Sequence, residues 1–143
     1  MSATITIQLS PSAIALADKF RAAPQQFPQA IKRGMDKALA YTSAKIQAER
    51  LTGPHPYPVS EHRLGERSGQ LKLRTRATEA RIVSEGEQTS VVGAIGSSVK
   101  YATYQEYGTR TLPERAPFRT GIRENLSYIS ETIEKEIVAS LKP

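Results

Sequence analysis

The chain begins with an alternating pattern. Ile5, Ile7 and Leu9 are spaced by Thr6 and Gln8, with Thr4 ahead of them, and a period of two predicts a half-buried strand. Ser10-Pro11 then offers a helix start, a capping hydroxyl followed by proline at the first helical position. A short helix carrying Ile14, Leu16 or Ala17, and Phe20 is expected up to Pro24. From about Pro28 to Leu51 the spacing changes to three and four residues. Ile31, Met35, Ala38, Leu39, Thr42 and Ile46 form one stripe, opposite Lys32, Arg33, Lys37, Gln47 and Arg50. The pattern predicts a long amphipathic helix lying across a sheet. A second stripe, Ile122, Leu126, Ile129, Ile133 and Ile137, predicts a C-terminal helix from about Thr120 to Leu141.

Between the two helices the pattern breaks and then alternates again. Residues 52–69 hold three prolines, three glycines and little apolar content. They read as a long surface loop, of the kind that in a compact domain is functional or mobile. Leu71 and Leu73 alternate with Lys72 and Arg74, the pattern resumes at Ile82-Val83, and Val91, Val92 and Ile95 follow up to Gly96. With Glu85–Gln88 as the turn, this stretch predicts an antiparallel hairpin. Tyr101–Arg110 reads as a short helical segment stopped by Gly108, and TLPERAPF as an extended, proline-stiffened connection. The expected fold is α+β: a small antiparallel sheet packed against one long helix, plus a C-terminal helix, in a single domain spanning residues 1–143.

Composition narrows the chemistry. Leu, Ile, Val and Phe supply only 30 of 143 residues, about the level below which chains fail to fold, so the core is thin. The absence of cysteine excludes disulfides, thiolate catalysis and zinc–sulfur sites. No apolar run approaches the ~18 residues of a membrane span, and no basic-then-apolar leader follows Met1. The net charge of +6 is unevenly placed: residues 1–84 carry 13 basic and 6 acidic side chains, residues 85–143 carry 7 and 8. Such asymmetry fits a surface that meets something acidic, or a solvated face that keeps the chain soluble.

No residue constellation nominates a reaction. His55 and His62 lie in the loop with only Glu61 and Glu66 nearby, too few ligands for a metal site. Phosphate-binding glycine patterns and a nucleophile elbow are missing. Glu85/Glu87 and Glu134/Glu136 read as solvated charges. The expectation is a chain that is not an enzyme and takes no cofactor, metal or small-molecule substrate. Arg63, Arg67, Lys72, Arg74 and Arg76 form a basic stretch. On a continuous strand Lys72, Arg74 and Arg76 would share one face, able to track a phosphate backbone. No aromatics interleave with them to stack bases, and lysine or arginine on a sheet edge also discourages aggregation.

One segment carries a resemblance. YATYQEYGTRTLPERAPFRTGI, from Tyr101 to Ile122, resembles the signature of a phage tail-component family. Its members complete the tail or join it to the head in long-tailed phages, with related virion-morphogenesis proteins in Mu-like phages. The matching positions are Tyr101-Ala102, Glu106-Tyr107-Gly108-Thr109, Pro113, Arg115 and Pro117-Phe118. Ser68-Gly69-Gln70-Leu71-Lys72 is similar to a further element that the family carries after its long helix. Ala116, between Arg115 and Pro117, departs from the family's contiguous Arg-Pro-Phe, and the loop at 52–67 is unusually rich in proline and histidine.

The resemblance implies a structural protein that forms a homo-oligomeric ring at the neck or upper tail of a virion, assembled in the cytoplasm of the host bacterium. It implies contacts with head–tail connector, tail-tube or tail-terminator proteins, around a lumen through which DNA passes. It singles out Tyr101, Tyr104, Glu106, Tyr107, Gly108, Thr109, Arg110, Pro113, Arg115, Pro117 and Phe118 as assembly-interface candidates. Tyrosine and arginine are enriched at interface hot spots, and the prolines lower the entropy of presenting the segment. The same tyrosines could instead cap the edge of the core. The alternative function is a basic nucleic-acid-binding module using the Arg63–Arg76 stretch.

Overall fold

The computed structural model describes residues 2–8, 26–53, 58, 62–65 and 68–141. The helix expected after Ser10-Pro11, and His55, Glu61, Glu66 and Arg67 of the loop, lie outside the described residues. Among those described, the sheet is built around strand β4 (Gln88–Ser97). On one side β4 pairs antiparallel with β1 (Ser2–Gln8), Ile5 lying opposite Gly93. On the other it pairs with β2 (Thr75–Ala77) and β3 (Arg81–Glu85), which follow one another along the same edge. The hairpin expected around Glu85–Gln88 is present, with Gly86 at a φ of 61° in the turn.

The break between β2 and β3 is a bulge. Ala77 faces Ile95 and Arg81 faces Val92, while the Thr78 N–H still donates to the Ala94 carbonyl at 2.7 Å. Glu79 and Ala80 are therefore both accommodated opposite Gly93, which bends the strand. The long helix α1 (Gln26–Arg50) fastens the bulge. The Ala80 N–H donates to Asp36 Oδ1 at 2.6 Å, and Lys32 Nζ reaches Glu79 at 2.7 Å and Asp36 at 3.1 Å. These bonds, first to Glu79 and then to Asp36, hold the Lys32 pKa above its ordinary value.

Three further helices complete the described chain: α3 (Ala102–Tyr107), α4 (Pro117–Glu124) and α5 (Leu126–Ser140), with one helical turn, α2 (Gln70–Leu73), before β2. The α1 stripe is buried as the spacing predicts. Met35 and Leu39 press onto β4 so closely that a Cβ on Gly93 would sit 2.3 Å from Leu39 Cδ1. On a second side of α1, Gly34 lets α5 approach until its missing Cβ would lie 2.7 Å from the Ile133 Cα. Glycine at both places lets large neighbours close the gap, which is how so few large apolar residues fill a core.

Three sequence expectations need correction. The Leu71/Leu73 alternation is a helical turn, not a strand. Gly69, at a φ of 71°, turns the chain, and bonds from Leu73 N–H to Gly69 O and Arg74 N–H to Gln70 O close it. Leu71 is buried and Leu73 is 62% exposed, because the helical turn places them on different sides. Second, the C-terminal helix starts at Pro117 and breaks at Asn125. The Asn125 side-chain N–H donates to the Gly121 carbonyl at 2.7 Å, supporting the break, and Leu126 drops out of the apolar stripe to stand 46% exposed. Third, TLPERAPF is not extended throughout: Pro117 opens α4 as its first residue, the position that proline suits.

Charge pairs seal the α1–α5 and α1–α4 seams. Glu136 accepts from Lys37 and pairs with Arg33 at 3.5 Å, and Arg50 pairs with Glu124. The hydrogen bond from Lys37 is the main reason that the Glu136 pKa lies below its ordinary value of 4.5. A carboxylate depressed in the folded state adds stability above its unfolded pKa and loses it as pH falls through the folded value. Acid titration of wild type and Glu136→Gln, followed by circular dichroism, is expected to show a shallower loss of stability below about pH 4.5 in the variant. Gly34→Ala is expected to destabilise the fold by about 1–3 kcal/mol in denaturant titration, since the overpacking cost against the Ile133 backbone exceeds the helix propensity that alanine adds.

Candidate functional site

The segment from Tyr101 to Arg119 is organised by one carboxylate. In α3, Ala102 and Glu106 lie four residues apart and point inward, and both are fully buried. Glu106 reaches the start of α4, where Oε2 accepts the Phe118 N–H at 3.0 Å and Oε1 accepts the Arg119 N–H at 2.9 Å. These are the orphan donors that an N-cap side chain normally satisfies. The residue at the N-cap is Ala116, which has no side-chain oxygen, so Glu106 does its work from ten positions away. A negative charge there is also favoured by the helix dipole.

Arg119 completes the arrangement. Its Nε donates to Glu106 Oε1 at 2.9 Å and its Nη2 to the Glu106 backbone carbonyl at 2.8 Å, and the guanidinium also pairs with Glu114. Burial opposes the charge, but the bonds to Glu106 and Glu114 outweigh it and raise the Arg119 pKa above its ordinary value. The guanidinium lies 4.6 Å from the centroid of the Tyr107 ring, within cation–π range.

The nine residues between α3 and α4 are thereby closed into a fixed loop. Arg115 and Ala116 both donate backbone N–H groups to the Gln105 carbonyl. At the tip, the Thr109 N–H donates to the Leu112 carbonyl at 2.7 Å, while the Thr109 hydroxyl accepts from Thr111 and Leu112. Gly108 has a φ of 74°, and a Cβ there would meet the Glu114 nitrogen at 2.8 Å and the Leu112 oxygen at 2.9 Å, so only glycine fits. Ala116 takes a φ of 45° and a ψ of 50°, a left-handed conformation that costs alanine roughly 1–2 kcal/mol. The Glu106 bonds on its far side hold it there.

The long loop meets the same segment. His62 Nδ1 lies 2.9 Å from the Arg115 carbonyl, and since a carbonyl only accepts, that nitrogen carries the proton. Arg115 Nη1 donates in turn to the Arg63 carbonyl at 3.0 Å. His62 and Arg115 thus tie the described part of the loop to the tyrosine–proline segment as one surface.

The structure divides the interface candidates into three groups. Glu106, Pro117 and Phe118 are buried and act inside the fold. Gly108 and Arg115 shape and tie down the loop. Tyr101, Tyr104, Tyr107, Thr109, Arg110 and Pro113 are exposed, Tyr104 by 55% and Tyr107 by 54%. Sequence reasoning missed Arg119 and the bond from Glu106 to α4; an acidic residue at a buried i+4 position from Ala102 was the available signal.

The basic stretch is not one strand face. Lys72 belongs to α2, Arg74 to its end, and Arg76 to β2, where its guanidinium bonds the Leu73 and Thr75 carbonyls. Arg63 sits in the loop, apart from them, and Arg67 is outside the described residues. Elsewhere, a hollow of about 430 Å³ lies beside the bulge, lined by Gln29, Lys32, Glu79, Ala80, Arg81 and Ile82. Among the described residues no group of three His, Asp or Glu could hold a metal, and no helix is long and apolar enough to cross a membrane. Comparison with family models, curated proteins and solved structures returns no match for this chain.

Glu106→Ala leaves two helix N–H donors and the Arg119 guanidinium without their partner. It is expected to cost about 3 kcal/mol in urea titration and to speed amide exchange across residues 105–119 more than in β4.

Proposed function

We propose that the chain is a structural, non-enzymatic virion component that assembles into a ring at the head–tail junction or upper tail of a phage particle. The observation that carries this reading is a contradiction within the 101–119 segment. Its backbone is fixed by a buried carboxylate, a guanidinium and a glycine that nothing can replace, yet Tyr101, Tyr104, Tyr107, Arg110 and Pro113 face solvent. Anchoring α4 accounts for Glu106 and Arg119, but not for the Thr109 bonds and the left-handed Gly108 that fix the exposed tip. A docking partner accounts for those, because a preordered surface loses less entropy on docking. The residues presented are the tyrosine and arginine typical of hot spots, and the segment is the one that resembles the phage tail-component family.

In this reading the tyrosine loop meets a neighbouring subunit, and the 52–69 loop, joined to it through His62 and Arg115, extends the same contact. Ring closure follows from a heterologous contact repeated by rotation. A nucleic-acid-binding module draws less support, because the basic stretch is spread over α2, β2 and a loop. Disrupting the gene in its source genome and imaging particles is expected to leave separate heads and tails. Complementation by a chain bearing Tyr104→Ala and Tyr107→Ala is expected to fail although that chain folds. Normal particles from the disrupted strain would overturn the proposal.

A further inference from the structure

The fold leaves a second face unexplained. On α5, Ile129 and Ile133 are buried toward α1, and the opposite side at helical spacing presents Ser127, Glu131, Glu134, Val138 and Leu141, all exposed. Val138 is 55% exposed and Leu141 37%, so this face carries apolar surface beside its charges. The carboxylates differ from their neighbours too. Glu124 and Glu136 are neutralised by cations of α1, whereas Glu131 and Glu134 have no ion-pair partner among the described residues. Lys135 lies four residues beyond Glu131 without pairing to it.

The tyrosine loop has the opposite residue. Its Glu114 is paired with Arg119, and Arg115 is turned toward the Arg63 carbonyl. Arg110 stands at the exposed tip without an ion-pair partner among the described residues. The tyrosine segment therefore offers, among the described residues, a cation without an ion-pair partner and two exposed tyrosines, Tyr104 and Tyr107. The outer face of α5 offers two carboxylates, likewise without an ion-pair partner among those residues, beside Val138 and Leu141. Arginine and tyrosine hydroxyls donate to carboxylates, and tyrosine rings cover aliphatic surface.

We infer that the outer face of α5 receives the tyrosine loop of a second copy of this chain, Arg110 and the tyrosine hydroxyls meeting Glu131 and Glu134 and the rings covering Val138. The inference rests on the ring proposed above and specifies its contact. Because donor loop and receiving helix are different surfaces, each subunit uses both, one toward each neighbour, as a closed ring requires.

The test uses two variants altered only at exposed positions, each checked for wild-type folding by circular dichroism. The loop variant carries Tyr104→Ala and Arg110→Ala; the helix variant carries Glu131→Lys and Glu134→Lys. Chemical cross-linking and light scattering of wild type over a concentration series are expected to show species larger than dimers. Each variant alone is expected to associate at least about tenfold more weakly. Mixed together, the two are expected to give one-to-one dimers and nothing larger, since the loop variant retains a good helix face and the helix variant a good loop. A helix variant that assembles like wild type, a mixture that fails to pair, or a wild-type chain that stays monomeric throughout would each overturn the inference. The ring itself is judged separately, by the particles of the disrupted strain.

Discussion

The Glu106 carboxylate sits where three requirements meet. The first turn of α4 needs acceptors for its N–H groups, Ala116 at the N-cap has none to give, and Arg119 needs an anion beside it. A fully buried carboxylate is ordinarily a liability, since desolvation costs more than most single contacts return. Here it is offset by two backbone donors and a guanidinium arranged around both oxygens, the condition under which a buried charge is tolerated. From that point the rest follows outward. Once α4 is anchored, Gly121 can lie against Ile46 of α1, where a Cβ would meet Ile46 Cγ1 at 2.4 Å. Asn125 then redirects the chain into α5, and α5 closes on Gly34. The geometry of the C-terminal half thus depends on an acid in a six-residue helix.

Much of this was legible in the chain and some was not, for reasons that differ by element. The α1 stripe from Ile31 to Ile46 is readable because burial there follows a local period, and the β3–β4 hairpin because Gly86 marks its turn. Leu71 and Leu73 misled because four residues are too few to tell a period of two from one of 3.6, and the deciding fact was the left-handed Gly69. The break at Asn125 was hidden by an apolar spacing that runs straight through it; only the exposure of Leu126 reveals that the stripe is interrupted. Glu106 was noticed for the wrong reason. As part of a motif it looked like surface, whereas its partner is a helix start ten residues on, and no local pattern encodes a cap supplied from a distance.

Helices and the central strand economise on large side chains in the same way. Gly34, Gly93 and Gly121 each remove a Cβ so that Ile133, Leu39 and Ile46 can fill the space. Polar groups substitute for apolar area elsewhere: Lys32 and Asp36 hold the bulge, Gln47 donates to the Thr75 carbonyl at 2.7 Å, and Thr75 back-bonds to Leu71. A chain organised like this has its elements in place without a large core, and it has apolar residues left over for its surface.

The position of β1 has a consequence for how the protein is made. Its partner residues lie between Ser90 and Gly96, so the earliest of the four described strands bonds to the last of them. At roughly 5–20 residues per second, Ile5 waits on the order of 10 s for Gly93 to be synthesised. During that wait the segment Ser2–Gln8 has no charged residue and no proline to keep it from pairing with another nascent chain. The β3–β4 hairpin is local and closes fast, while β1 closes a loop of more than eighty residues. Of the four described strands, the one made earliest waits longest for its partner.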